Sequence, residues 1–238
     1  MSDERFVFMV LEEHPYGREM LMQLMDAGHV PMAIIEEASD IAEEERGKFL
    51  ERIKGYRVAP TFTELLEGMD VPRYKVPHHN RKACRLLLEE LRPDIGVLGG
   101  TRIISERILS IPPDGMLNAH PGLLPEVRGS ASPAWCVYYD IPIGATCHFI
   151  DPGIDTGDIV GKRVIPIHRG DTYEKLCWLT LVEAGRLMTE AVTAWKNGEL
   201  TRTPQGESDL PTFRVPSEEV MEAVFKKREE NTYKHYVD

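Results

Sequence analysis

The chain has 238 residues, 42% of them hydrophobic and 28% charged, enough for one large α/β domain with at most a short addition. Its 39 acidic against 28 basic residues give a net charge of −11, a field that repels phosphate backbones and disfavours general nucleic-acid binding. No apolar run reaches the roughly 20 residues that span a bilayer. MSDERF lacks the parts of a secretion signal, and Cys84, Cys136, Cys147 and Cys177 show no CxxC spacing, so the expectation is a cytoplasmic protein with reduced thiols, no metal site and no membrane contact.

In chain order, residues 5–11 (RFVFMVL) form an apolar run typical of a strand buried on both faces. After EEHPYG, residues 18–27 read as a helix, with Met20, Leu21, Leu24 and Met25 on one face and Gly28 at its end. Residues 30–35 (VPMAII) supply the next buried strand and complete a βαβ unit. The charged segment 38–68 reads as largely helical, with Phe49, Leu50 and Ile53 facing inward. Residues 74–76 suggest a short strand, and Asn80 is placed to cap a helix through Leu91 that carries Cys84, Leu87 and Leu88 at helical spacing. Then come a strand at 95–99 (IGVLG), a short helix at 105–109 and a strand at 116–120. This alternation predicts a doubly wound, mostly parallel α/β sheet.

Further on, a helix is expected at 131–139, strands at 144–150 and 159–167, and a long helix from 169–172 to Asn197-Gly198. The tail from Glu199 mixes extended pieces with a charged helix over 217–228. The reading is one domain over 1–198 and a short C-terminal appendage over 199–238, whose helix and hairpin-like pieces would support a homodimer.

Residues 117–160 concentrate the chemistry: one Asn, two His and four Asp among turn-forming Gly and Pro. Asn118 and His120 are two apart at a strand end, so their side chains share a face. Pro121 ends the strand, and ligands of open α/β sheets bind beyond such carboxyl ends. An Asn amide can donate to an oxygen on which negative charge develops, and an imidazole can accept and return a proton. Asp155, in the turn DPGIDTG, can orient that imidazole or raise its pKa. With no Ser or Cys in the pattern, direct acyl transfer to a bound amine follows. Spacing alone fits equally well a packed histidine and an ordinary Asx-bonded turn.

Together, N-x-H-P-x-L-L-P-x-x-R-G, G-x-T-x-H and D-x-G-x-D-T-G-D-I resemble the folate-dependent formyltransferase family, which acts on glycinamide ribonucleotide, methionyl-tRNA or amino sugars, or hydrolyses formyltetrahydrofolate. The similarity is strong over 94–171 and weaker to Gly198. It implies a Rossmann-like fold, 10-formyltetrahydrofolate as donor, and Asn118, His120 and Asp155 at the catalytic positions. It also places Arg102, Ile103, Ile104, His148, Ile150, Asp151, Gly153 and Ile154 at the folate site. In the implied mechanism Asn118 and a protonated His120 stabilise the oxyanion while Asp155 organises the water that relays the proton.

Departures from the family narrow the acceptor. EEHPYG stands where the glycinamide ribonucleotide enzymes have a Gly- and Ser-rich phosphate loop, and its carboxylates would oppose a phosphate. The run R-G-x-x-x-P-x-W from Arg128 is closer to the methionyl-tRNA and sugar enzymes, but a tail of forty residues cannot form the tRNA enzymes' C-terminal barrel. The expected acceptor is a small primary amine, foremost a nucleotide-linked aminosugar, with Glu12, Arg128, Trp135 and Tyr138 as candidate contacts. The alternatives are a formyltetrahydrofolate hydrolase, a tRNA-type enzyme without the barrel, and a non-catalytic folate sensor.

Overall fold

A computed structural model describes residues 5–238. The central strand, β1 (Phe6–Leu11), is buried throughout, with Phe6, Phe8 and Val10 packed on one side and Val7 and Met9 on the other, as a period of two requires. β2 (Ala33–Glu37), β3 (Arg73–Val76), β4 (Ile95–Leu98), β5 (Met116–His120), β6 (Gly144–Phe149) and β7 (Ile159–Val164) join it in the order β3-β2-β1-β4-β5-β6-β7. The first five run parallel; β6 is antiparallel to β5, and β7 to β6. The order reverses between β1 and β4, so a crevice opens beyond their carboxyl ends.

One face is covered by α1 (Pro15–Asp26), α6 (Ser132–Tyr139) and the long α7 (Tyr173–Lys196) over the larger core; α4 (Lys82–Leu91) and α5 (Glu106–Leu109) cover the other. α1 lies so close to the sheet that a Cβ on Gly17 would stand 2.5 Å from the Gly99 carbonyl oxygen, and only glycine fits there. Among the described residues no helix is long and apolar enough to cross a membrane, and the four cysteines are free and buried.

Local chemistry moves several boundaries. α1 begins at Pro15 rather than at residue 18, because the Tyr16 N–H donates to His14 Nδ1 (3.3 Å) and proline suits the first turn. Segment 38–68 holds two helices, α2 (Asp40–Arg52) and the single turn α3 (Phe62–Leu65), the latter closed by a Thr61–Glu64 capping box. Phe49 and Ile53 pack inward as expected, but Leu50 is 37% exposed. Asn80 does not cap α4. It spans to another loop, donating to the Ile103 carbonyl and accepting from the Ser105 N–H, both at 2.8 Å.

Residues 199–238 are continuous with the main core, which takes in Phe213, Val224 and Tyr233. From α8 (Glu218–Glu229), Lys227 Nζ reaches the C-terminal end of α6, donating to the Tyr138 carbonyl (3.0 Å) and to Asp140 (2.7 Å). Single-residue bridges tie Thr203 to Ile159 and Phe213 to Gly129.

His14 makes folding sensitive to acid. Burial first, then the charges of Arg52 and Arg46, push its pKa from 6.5 down to about 4. The unfolded chain therefore binds the additional proton, and His14 withdraws about 3 kcal/mol of stability as pH falls from 6.5 to about 4. His14→Asn keeps a cap acceptor without the titration. Urea unfolding across that range should show a shallower loss of stability for the variant, and equal pH slopes would refute this origin.

Candidate active site

The register Asn118↔His148 and His120↔Thr146 brings both histidines and the asparagine to one end of the β5–β6 pair. His148 Nδ1 donates to the Phe149 carbonyl (2.8 Å), which leaves Nε2 to accept from Asn118 Nδ2 at 3.2 Å. The second N–H of Asn118 stays free for the crevice. His120 Nε2 donates to the Val127 carbonyl at 2.7 Å, with Ser132 Oγ 3.0 Å away, so the lone pair of the neutral ring lies on Nδ1. That Nδ1 is 3.4 Å from Asp155 Oδ2, while Asp155 Oδ1 is 3.5 Å from His148 Nε2.

Asp155 reaches this position from a loop in which its own φ is +53°, a left-handed conformation that Asp tolerates better than most residues. Asp151 folds the same loop, its Oδ1 accepting from the Gly153 N–H (3.1 Å) and the Thr156 hydroxyl (2.6 Å). Opposite, the Gly129 N–H donates to Asp155 Oδ2 at 2.8 Å.

Burial lowers the pKa of His120, with the Asp155 charge pulling the other way, so the resting imidazole is neutral. The protonated His120 expected to stabilise the oxyanion would then gain its proton during the reaction. Burial alone would raise the Asp155 pKa, but the charge of His120 in its protonated form and the hydrogen bond from the Gly129 N–H bring it down to about 2.

Two clefts meet at this centre. The first, of about 580 Å³, is lined by Arg102, Ile103, Ile104, Ile150, Asp151, Gly153 and Ile154 together with Asn118, His120 and Asp155. All the expected folate-site residues thus share one cavity except His148, which is fully buried behind Asn118 and Asp155. The second, of about 740 Å³, opens on the other side of Asn118 between His14, Tyr16, Phe49, Arg52, His78 and Pro121.

None of the four expected acceptor contacts lines either cleft. Glu12 pairs with Lys75, and Arg128 donates to Gln205 Oε1 (2.9 Å). Trp135 stacks on Phe213 at 4.6 Å and donates to the Arg214 carbonyl (2.8 Å), while Tyr138 packs edge-on against Trp135. Spacing of i, i+3 on one helix cannot distinguish an aromatic pair facing a ligand from one facing a returning chain. Unanticipated lining residues are Tyr16, Ser130 and the stretch 212–215.

A family model described as formyl transferase matches residues 5–192. A methionyl-tRNA formyltransferase of Pelotomaculum thermopropionicum is 28% identical over 214 residues, covering 89% of this chain and 64% of that protein, so the chain spans less than two thirds of that relative's length. Glycinamide ribonucleotide transformylase 1 of Symbiobacterium toebii has a similar fold, with a TM-score of 0.64 at 21% identity over 87% of this chain and 96% of its own. An N-formyltransferase of Helicobacter canadensis, solved with folinic acid and dTDP-3-aminofucose, gives 0.62 at 17% identity, over 88% and 70%.

Proposed function

The chain belongs to the formyl transferase family, and on that premise we propose that it transfers a formyl group from 10-formyltetrahydrofolate to the primary amine of a small, anionic molecule, foremost a nucleotide-linked aminosugar. The observation that carries this is the meeting of two clefts at Asn118, with the His120–Asp155 pair behind it. A donor and an acceptor can occupy the clefts together and meet at one free amide N–H and one ring lone pair.

The first cleft suits a flat, hydrogen-bonding bicycle. Leu98, Ile104 and Ile150 supply apolar walls, and the 150–154 loop presents backbone groups and the Asp151 carboxylate. Bound there, the folate supplies an activated formyl group. Asn118 donates its free N–H to the formyl oxygen as charge develops on it. His120 Nδ1 accepts the proton that the attacking amine loses; the imidazolium so formed lies against the Asp155 carboxylate, which offsets its burial. The new bond joins the amine nitrogen to the formyl carbon, and the same proton passes from Nδ1 to the departing nitrogen.

The second cleft supports an anionic acceptor. Arg52, Arg102 and His78 line it beside Glu45; Arg102 and His78 both face Glu37, but among the described residues no carboxylate pairs with the Arg52 guanidinium, which is the cation left for a ligand. The acidic pair thought to oppose phosphate is already neutralised, Glu12 by Lys75 and Glu13 by Arg73 at 2.8 Å. The structure with dTDP-3-aminofucose belongs to a different protein; it supports the same acceptor class here by shared fold alone.

The test is consumption of 10-formyltetrahydrofolate with and without a panel of amines, each with and without a phosphate. Loss that depends on a phosphorylated amine is expected. Amine-independent loss would make the protein a hydrolase, and binding without loss a sensor; either overturns the proposal. Arg52→Ala should raise KM for phosphorylated acceptors about tenfold, the weight of one charge-assisted contact, and leave KM for the folate unchanged.

A further inference from the structure

Beyond α7 the chain turns back across the mouth of the first cleft, and one side chain of this return reaches the loop that carries Asp155. Gln205 Nε2 donates to the backbone carbonyls of Asp155 (2.9 Å) and Gly157 (2.6 Å). Its Oε1 accepts from the Arg128 guanidinium at 2.9 and 3.3 Å. Arg128 in turn adjoins Gly129, whose N–H holds Asp155 Oδ2. Phe213 clamps this second loop, with its N–H on the Arg128 carbonyl (2.8 Å) and its carbonyl on the Ser130 N–H (2.9 Å).

Asp155 is therefore gripped twice. Its carboxylate is held by the 128–130 loop and its left-handed backbone by Gln205, and the Gln205–Arg128 contact locks the two loops together. The left-handed φ of +53° is less favourable than the right-handed form even for Asp, so bonds to its carbonyl from outside the loop help to hold it. The side chain at 205 must donate two hydrogen bonds to carbonyls and accept from a cation at once. Among side chains of this length only the glutamine amide does both.

We propose that Gln205 is a positioning residue for Asp155, so that the C-terminal stretch around it is a working part of the catalytic centre. The inference rests on the reading of Asp155 as the partner of His120. Its chemical content is one alignment: Gln205 keeps the carboxylate within reach of His120 Nδ1 through the cycle in which that nitrogen gains and loses a proton.

Gln205→Met preserves length and removes every hydrogen bond. Gln205→Glu keeps the acceptor for Arg128 but aims an oxygen at two carbonyl oxygens. In the full chain both should lower kcat about a hundredfold, the scale of a displacement near 1 Å at a reacting group, with KM for the folate changed by less than about threefold. The ionisation of His120 in the pH–rate profile should move to lower pH, because the carboxylate that raises it has withdrawn. A filler of the fold would behave differently: thermal stability would fall while kcat of the folded fraction and its pH profile stayed as in the parent.

Asp155→Asn measured beside these variants separates the two ideas. If Asp155→Asn is inactive and Gln205→Met turns over within about threefold of the parent with an unmoved pH profile, Gln205 has no positioning role. If Asp155→Asn itself remains active, the reading of Asp155 fails and the proposal falls with it. Loss of kcat in all three, with a displaced His120 ionisation in both Gln205 variants, is the supporting result.

Discussion

Replacing Asp155 with asparagine should leave a folded protein that binds folate and turns over about a thousandfold more slowly. The amide has room, since its oxygen can keep the 2.8 Å bond from the Gly129 N–H in place of Oδ2. What goes is the charge beside His120 Nδ1. His120 is buried against Val127, Ser132 and Gly122 with only an edge on the cleft, and burial already disfavours its protonated form. Without the carboxylate the imidazolium has no counter-charge in a low-dielectric pocket, and proton uptake from the amine becomes the obstacle.

The same substitution carries a signature in folding. The Asp155 pKa is depressed from 3.8 to about 2, so the carboxylate contributes stability above pH 3.8 that is lost as pH falls toward 2. The variant should lack that component, roughly 2 kcal/mol at neutral pH, and so unfold with a weaker acid dependence in this window. Steady-state kinetics, folate binding by fluorescence and unfolding at pH 7 and pH 3 check the three parts. A kcat within about tenfold of the parent would remove Asp155 from the mechanism.

The two ends of the β5–β6 pair show how far local pattern carries. Strand Phe6–Leu11 is buried along its length and appears in the sequence as a short apolar run, whereas Gly144–Phe149, equally buried, carries Thr146 and His148. A period of two puts Asn118 and His120 on one face and Gly and Pro mark the turn that holds Asp155, but their convergence was implied by the resemblance of the three motifs together, not by either pattern. The resemblance placed Ile150, Asp151, Gly153 and Ile154 with them, and all four line the first cleft. What local pattern could not show is contact between distant segments through single residues. Gln205 meets Asp155 across 50 positions, and Thr203 and Phe213 pair as isolated bridges that leave no alternation in TRTPQGESDLPTFRV. Trp135 and Tyr138 were placed on the acceptor for the same reason: Phe213, which covers Trp135, is invisible from within the helix, and Tyr138 packs edge-on against Trp135 itself.

Gly129→Ala should be among the most damaging single-methyl changes in the described residues. Gly129 has φ +97°, where an L side chain is strained, and a Cβ there would stand 2.1 Å from the Phe213 carbonyl oxygen. Neither neighbour can yield cheaply, because Phe213 is bonded through its own N–H and carbonyl to Arg128 and Ser130 and is stacked under Trp135. Backbone strain and overpacking together should cost about 3 kcal/mol or more. The peptide at 129 also holds Asp155 Oδ2, so whatever protein still folds should transfer formyl groups poorly. Gly28→Ala is the matching control: φ is +85°, but no atom lies within 4 Å of the added methyl, so only the backbone term, about 1 kcal/mol, applies. Urea denaturation of both variants, with transfer assayed on the folded fractions, tests the contrast. Equal losses of stability would mean that Phe213 yields freely. The C-terminal return would then be a loose cover over the cleft rather than one of its walls.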